Sequence, residues 1–296
     1  MSAELALAFL AGLGGMCGWG VADFFAKKTI DQVGDVTTLF WAQLIGVAPL
    51  GALFLLNPAA PRLDAAGWCF AVVLGVWSGL SYIPTYVAFG KGQVSVLSPI
   101  FASYAVVVAI LSALLLHEHI PAGRAAAFVV VFAGVLLING DPRELLRLGT
   151  RDGRRLFGVP GLKEILLAVG LYSLWLIGLD RFLEGRNWVP LLLAIRICSA
   201  ISVFGYARAR SLSLRVPTRS VWPYLVLIGV FDVAAFASVS FGFARTPYTS
   251  VVAMLSGAFS LPTIVLAHVF LKERMTRLQV IGSLVSIGGI MLVYAI

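Results

Sequence analysis

Apolar runs of about twenty residues, separated by short polar turns, recur along the whole 296-residue chain. They fall at 5–26, 36–56, 67–90, 94–116, 121–139, 162–182, 188–207, 219–244, 248–271 and 277–296. A helix that crosses the hydrocarbon of a bilayer needs roughly 20 residues at about 1.5 Å each, so every run is long enough. The runs are continuously apolar rather than alternating with period two. That excludes a closed barrel and leaves helices, which satisfy their own backbone in lipid. The pattern predicts an all-α membrane protein with ten transmembrane helices. The first run follows Met1-Ser2-Ala3-Glu4 without a basic leader and exceeds a signal-peptide core, so it is read as the first span.

Internal repetition organises these spans. The stretch Gly75-Val76-Trp77-Ser78 to Phe89-Gly90-Lys91 lies over Gly229-Val230-Phe231-Asp232 to Phe243-Ala244-Arg245 at a constant spacing of 154 residues. One residue further on, Ser95-Val96 lies over Ser250-Val251 and His117-Glu118-His119 over Lys272-Glu273-Arg274. The chain is therefore read as a tandem duplication: a first five-helix repeat at 1–139, a basic linker at 140–161 carrying Arg143, Arg147, Arg151, Arg154 and Arg155, and a second repeat at 162–296. Five is odd, so the second copy enters the membrane the other way up. Two inverted five-helix repeats are an arrangement that secondary transporters use, with the binding site near the midplane where the halves meet.

Composition agrees: 60% of residues are hydrophobic and 12% charged, against about 45–50% and about 25% in soluble domains. The net charge of +8 resides in juxtamembrane turns, where Lys and Arg meet headgroups, so the bilayer rather than nucleic acid is the expected partner. Cys17, Cys69 and Cys198 have no metal-ligand spacing, and His117-Glu118-His119 places three adjacent residues in one turn, a poor metal site. No metal and no cofactor are expected. P-loop, nucleotide-binding and nucleophile-triad patterns are missing from the sequence, so ATP-driven transport and enzyme chemistry have no support in it.

Charges inside spans carry the functional argument. Arg196 sits nine residues into the seventh span and Asp232 near the centre of the eighth. At a helix centre each costs about 2.5–3.5 kcal/mol, so neither faces lipid. Two readings stand: a buried pair that neutralises itself, or cavity residues that touch a solute or a proton, with Asp232 as the proton-coupling candidate. An arginine in a cavity suits carboxylates and phosphates. In the third span Ser78, Tyr82, Tyr86 and Phe89 form one helical stripe, and their counterparts are Asp232, Phe236, Ser240 and Phe243. A polar and aromatic stripe in both copies turns inward. Trp19 and Trp175 correspond across the copies, as do Tyr104 and Phe259, with Phe101 and Ser256 one turn earlier. Trp19, Ser78, Tyr82, Tyr86, Tyr104, Trp175, Arg196, Asp232, Phe236, Ser256 and Phe259 are thus the candidate substrate-binding residues. Trp41, Trp68, Trp188 and Trp222 are read as interfacial or packing residues, Pro84 as a bend, and Asp23 and Asp180 as capped or paired near span ends. Gly14-x-x-x-Gly18, Gly75-x-x-x-Gly79 and Ser256-x-x-x-Ser260 are small-residue pairs for close helix approach.

Ten spans, two five-helix halves, the Glu-bearing turns at Glu118 and Glu273, and the endings Ala-Gly-Val-Leu-Leu-Ile (133–138) and Gly-Gly-Ile-Met-Leu-Val (288–293) resemble the drug/metabolite transporter superfamily, EamA branch. The resemblance implies a central cavity that opens alternately to each side and moves small solutes, often amino acids or other metabolites outward, across a bacterial or archaeal inner membrane. Its rivals are a carrier of sugars, nucleotide-sugars or lipid-linked intermediates, and, from another class, a membrane adaptor or intramembrane enzyme. Small multidrug relatives carry a glutamate midway through the first helix, where this chain has Met16-Cys17-Gly18-Trp19 and no acid. Lys and Arg concentrate in the turns after odd-numbered spans, which by charge counting puts both termini outside, whereas the resemblance implies both in the cytosol. Orientation stays open, as does the choice between monomer and homodimer.

Overall fold

The computed structural model describes residues 2–56, 63–91, 97, 100–139, 160–183, 186–216, 218–271 and 276–296. Among these, the regular structure is helical: α1 (Ala3–Val33), α2 (Asp35–Leu55), α3 (Ala65–Lys91), α4 (Tyr104–Leu115), α5 (Ala122–Asn139), α6 (Leu162–Leu183), α7 (Trp188–Ala209), α8 (Trp222–Arg245), α9 (Thr249–Ser256), α10 (Ser260–Leu271) and α11 (Arg277–Ala295). Eight segments are long and apolar enough to cross a membrane, the one at Thr249–Phe270 combining α9 and α10, and two apolar helices are shorter, Ile100–Leu115 and Ala122–Leu137. Most of the linker, the Glu273 turn, Ser95 and the side chains of Lys27 and Phe89 lie outside the described residues.

Local chemistry explains the helix ends. The Ser2 hydroxyl accepts from Leu5 N–H at 3.2 Å, Asn187 from Val189 N–H at 3.0 Å, and Thr276 forms a reciprocal capping box with Gln279. Gly34, at φ 85°, turns α1 directly into α2, in a region of backbone space that glycine enters without strain. α1 runs seven residues past its apolar run, because Thr29 and Gln32 bond back to the carbonyls of Phe25 and Lys28 and continue the turn.

The ninth span differs from the uniform helix that the pattern predicts. It breaks at residues 257–259 into α9 and α10. Pro262 has no N–H to give Ala258, so the Ala258 carbonyl takes Leu261 N–H at 2.9 Å instead. Gly257 lets the break approach α4, since a Cβ there would lie 2.6 Å from that of Ala105. Ser256 and Ser260 consequently sit on two helices and do not form the small-residue pair of one helix. The fourth span has a matching break: Ser103, 155 residues earlier than Ala258, is a turn between Ile100–Ala102 and α4. Pro84 does not end α3, which continues to Lys91.

Packing is mainly between the halves. α1 packs on α8, α9 and α10; α6, its counterpart, packs on α3 and α4. α8 packs on α2 as α3 packs on α7, while α2–α7, α4–α9 and α5–α11 pair counterpart with counterpart. Exchanging the copies leaves this set of neighbours unchanged. Small residues set the closest approaches: a Cβ on Gly18 would lie 2.7 Å from that of Ala235, and one on Gly75 2.8 Å from the Ile195 carbonyl oxygen. Large apolar side chains such as Leu10, Val72, Ile110, Ile201 and Leu284 face outward, the side a bilayer would cover.

Candidate functional site

The two charges of the spans meet where the halves meet. Asn187 caps α7 and sets the register that carries Arg196 inward between Ile195 and Leu192, both buried. Arg196, 5% exposed, pairs through Nη2 with Asp232 on α8 and donates through Nη1 to Gln43 Oε1 on α2 at 2.5 Å. Its guanidinium also lies 5.6 Å from the ring centre of Phe236, one turn beyond Asp232. Pairing cancels a charge that a bilayer interior penalises, and Gln43 satisfies a further donor. Gly46 makes room: a Cβ there would stand 2.9 Å from Arg196 Nε and 2.9 Å from Val233 Cγ2.

Beside the guanidinium is a small void with room for about one water molecule, lined by Gln43, Leu50, Ser78, Leu192, Ile195, Arg196, Ser199 and Phe236. Four helices supply it, two from each half. The Ser199 hydroxyl is buried there without a hydrogen-bond partner. Arg196 and Asp232 are therefore an ion pair and, through Arg196, part of a cavity wall, so the two readings of the sequence are not exclusive.

An aromatic string leads away from the pair. Trp19 of α1 meets Phe236 edge-on at 6.3 Å between ring centres, Phe236 meets Trp175 of α6 at 5.2 Å, and Trp175 stacks on Tyr172 at 5.7 Å. Tyr172 is the hub, reaching Tyr82 of α3 at 5.5 Å, Phe101 at 5.6 Å and Tyr104 of α4 at 4.9 Å. Corresponding tryptophans differ in their bonds. Trp175 Nε1 donates to the Leu74 carbonyl at 2.7 Å, whereas Trp19 Nε1 has no partner. The Tyr104 hydroxyl lies beside Ser256, whose own hydroxyl is committed to the Ala253 carbonyl, and finds no partner within bonding distance.

Of the sequence candidates, Ser78, Arg196 and Phe236 line the void, and Asp232 holds Arg196. Trp19, Trp175, Tyr82 and Tyr104 belong to the string. Tyr86 is half-buried on the Tyr82 face of α3, and Ser256 and Phe259 are buried at the break beside α1, where Phe259 O would lie 2.6 Å from a Cβ on Gly20. Gln43, Gly46, Leu50, Tyr172 and Ser199 complete the site without having been singled out as site residues. Gln43 was discoverable, being an amide in the middle of an apolar run; Leu50 carries no such signal.

Polar contacts also gather at the N-terminus of α9. Ser250 donates to Glu118 from its N–H at 2.9 Å and from its hydroxyl at 2.5 Å, and Thr249 donates to Asp180 at 2.7 Å. Burial pushes the Glu118 carboxyl above its ordinary range, opposed by hydrogen bonds from Ser250 and Ser112 and by the Arg124 charge. Asp180 is bonded as read from the sequence. Asp23, towards the end of the first span, is exposed, within electrostatic reach of Asp232 and Tyr86, and the Lys27 side chain read as its neighbour lies outside the described residues. Trp41 packs edge-on against Trp222 at 4.7 Å, Trp188 lies 6.3 Å from Phe241 and Trp68 is exposed. Among the described residues no group of three or more His, Cys, Asp or Glu is placed to hold a metal ion.

Apolar helices in two interpacked sets, with a neutralised charge pair and a void buried at their junction, define an integral, multi-pass membrane protein of the solute-carrier class. The chain belongs to the EamA-like transporter family, whose pattern matches residues 6–140 and again residues 160–295. One solved crystal structure, 16% identical in sequence, covers 97% of this chain over 98% of its own length with a TM-score of 0.80, a likeness of fold. No curated protein matches the chain.

Proposed function

We propose that the chain is a secondary transporter of ten spans in two inverted repeats, moving small organic solutes by alternating access through the junction of its halves. Amino acids and related metabolites are the proposed cargo, export the proposed direction, and a bacterial or archaeal inner membrane the proposed setting. The neighbour set that survives exchange of the two copies supports the inverted arrangement, because five spans per copy force opposite insertion. The observation that carries the reading is the Arg196–Asp232 pair with Gln43 beside a void at that junction. Charges inside a membrane are costly, and a pair kept next to unfilled space suits recognition of a polar solute. The aromatic string offers flat apolar surface for the rest of the cargo.

Purified protein in liposomes loaded with labelled amino acids tests this. Counterflow of at least one amino acid, reduced at least tenfold in Asp232→Asn, is the expected result. Retention of every labelled amino acid, sugar and nucleoside tried, by protein shown to be folded, would refute it.

A further inference from the structure

Asp23 takes no part in the Arg196–Asp232 pair, yet it faces the same region. It lies one turn beyond Trp19 on one stripe of α1, and Trp19 is buried against Phe236 of α8. Asp232 lies one turn from Phe236, and the two carboxylates are within electrostatic reach of each other. From the other side α3 brings Tyr86 within reach of both. Among the described residues α1 packs against α8, α9 and α10, and α3 against α6 and α7, with α2 beside both. Asp23 and Tyr86 therefore face each other from helices that do not pack along one another.

The cleft between these helices is open. Asp23 is exposed, Tyr86 is half-buried and the Asp232 side chain is 16% exposed. Exposure at positions that face other spans means accessible space between the spans, since a charge turned to lipid is penalised. Arg196, by contrast, is 5% exposed. Two buried polar groups adjoin Asp23 without partners: Trp19 Nε1, one turn away, and the Tyr104 hydroxyl, within electrostatic reach. Folded proteins rarely leave such groups unsatisfied, and a bound solute can supply what the protein does not.

The chemistry of the wall selects the ligand. An ionised carboxylate only accepts hydrogen bonds and a tyrosine hydroxyl can accept one, whereas an ammonium group has three donors and a compact charge. The aromatic string that starts at Trp19 and runs through Phe236 to Trp175 provides flat apolar surface beside it.

We propose that this cleft binds the ammonium group of the cargo, with the Asp23 carboxylate and the Tyr86 hydroxyl accepting its N–H bonds while Asp232 stays paired with Arg196 and attracts it at longer range. The inference rests on the transporter reading above and names the end of an amino-acid-like solute that the protein holds. Lys27 lies one turn beyond Asp23 on α1. Turned toward Asp23 it competes with the cargo for the carboxylate, so removing its charge cannot weaken binding.

Phenethylammonium and phenylacetate share a ring and differ in the charged end. Both are titrated calorimetrically into purified full-length protein in non-ionic detergent at about pH 8, where the amine is protonated and carboxylates are ionised. Phenethylammonium should bind at least tenfold more tightly than phenylacetate. Asp23→Asn should weaken its binding at least tenfold, Asp23→Glu by less than about threefold, and Tyr86→Phe several-fold, each variant first shown to be folded by size-exclusion chromatography. Lys27→Gln should bind it at least as tightly as the native protein. No phenethylammonium binding by native protein, phenylacetate binding of equal strength, undiminished binding in Asp23→Asn or Tyr86→Phe, or weaker binding in Lys27→Gln would each overturn the proposal. If native protein still transports amino acids in liposomes in any of these cases, only the ammonium site falls; if it transports no solute, the transporter reading falls with it.

Discussion

Replacing Gly46 by alanine adds one methyl group at the most constrained point of the charged site. Its Cβ would lie 2.9 Å from Arg196 Nε and 2.9 Å from Val233 Cγ2, closer than carbon comes to either atom without displacement. Arg196 has little room to yield, because Gln43 and Asp232 hold its two terminal nitrogens. Overpacking of this kind costs about 1–3 kcal/mol. A guanidinium moved away from Asp232 adds part of the roughly 3–5 kcal/mol that a broken buried pair loses. The same helix contains its own control: Gly51, five residues on, has nothing within 4 Å of its would-be Cβ. Alanine there should be neutral or stabilise by up to about 1 kcal/mol through helix propensity. In detergent, at about 2–4 °C per kcal/mol, Gly46→Ala should lower the Tm by about 2–10 °C and Gly51→Ala should not lower it. Equal Tm values for the two variants would show that the guanidinium is not confined as described.

Further predictions address the other contacts. Arg196→Gln alone should destabilise by about 3–5 kcal/mol and Arg196→Gln/Asp232→Asn by clearly less, since the double change leaves no unpaired buried charge; Tm values of the three proteins check this. Trp175→Phe should cost about 1 kcal/mol more than Trp19→Phe in the same assay, because only the Trp175 N–H has a bond to lose, to the Leu74 carbonyl. Burial holds the folded Glu118 pKa above the ordinary 4.5, so the folded chain binds more protons than the unfolded one just above that pH, and this group's contribution to stability falls as pH rises through the folded pKa. Glu118→Gln should remove that decline from a Tm-against-pH series; an unchanged series would mean that Glu118 does not titrate in the fold.

Where the sequence was informative, a single physical rule governed the outcome. Span positions followed from length and apolarity, because lipid enforces both; α6 begins and α7 begins at the first residue of their apolar runs. Charges in mid-span pointed to Arg196 and Asp232 for the same reason, as the bilayer penalises an ion wherever the fold places it. The break between α9 and α10 was less legible: Pro262, which lacks the N–H that Ala258 would accept, occurs in a run whose hydropathy is uniform, and the need for Gly257 beside it shows only in the approach of α4, a tertiary fact. Gly46 and Ser199 were invisible for a related reason. Small residues are common in membrane helices, and only the neighbours that they face distinguish a cavity wall from a packing surface.

Duplication makes one further comparison possible, because corresponding residues can be compared within one molecule. Trp175 is bonded to Leu74, while its counterpart Trp19 has no partner among the described residues. Asp180 is bonded to Thr249 at the start of α9, beside the Glu118–Ser250 contact. Under the proposed alternating-access mechanism equivalent residues are engaged unequally in any one conformation, and on that proposal the Asp180–Thr249 and Glu118–Ser250 bonds would hold one face closed and would break on turnover. A cysteine placed at Ala253, one turn inside α9, in a background lacking Cys17, Cys69 and Cys198, should react slowly with a water-soluble maleimide and at least several-fold faster once Glu118→Gln weakens the contact. Equal rates would remove Glu118 from the closure and leave it only its helix-capping role.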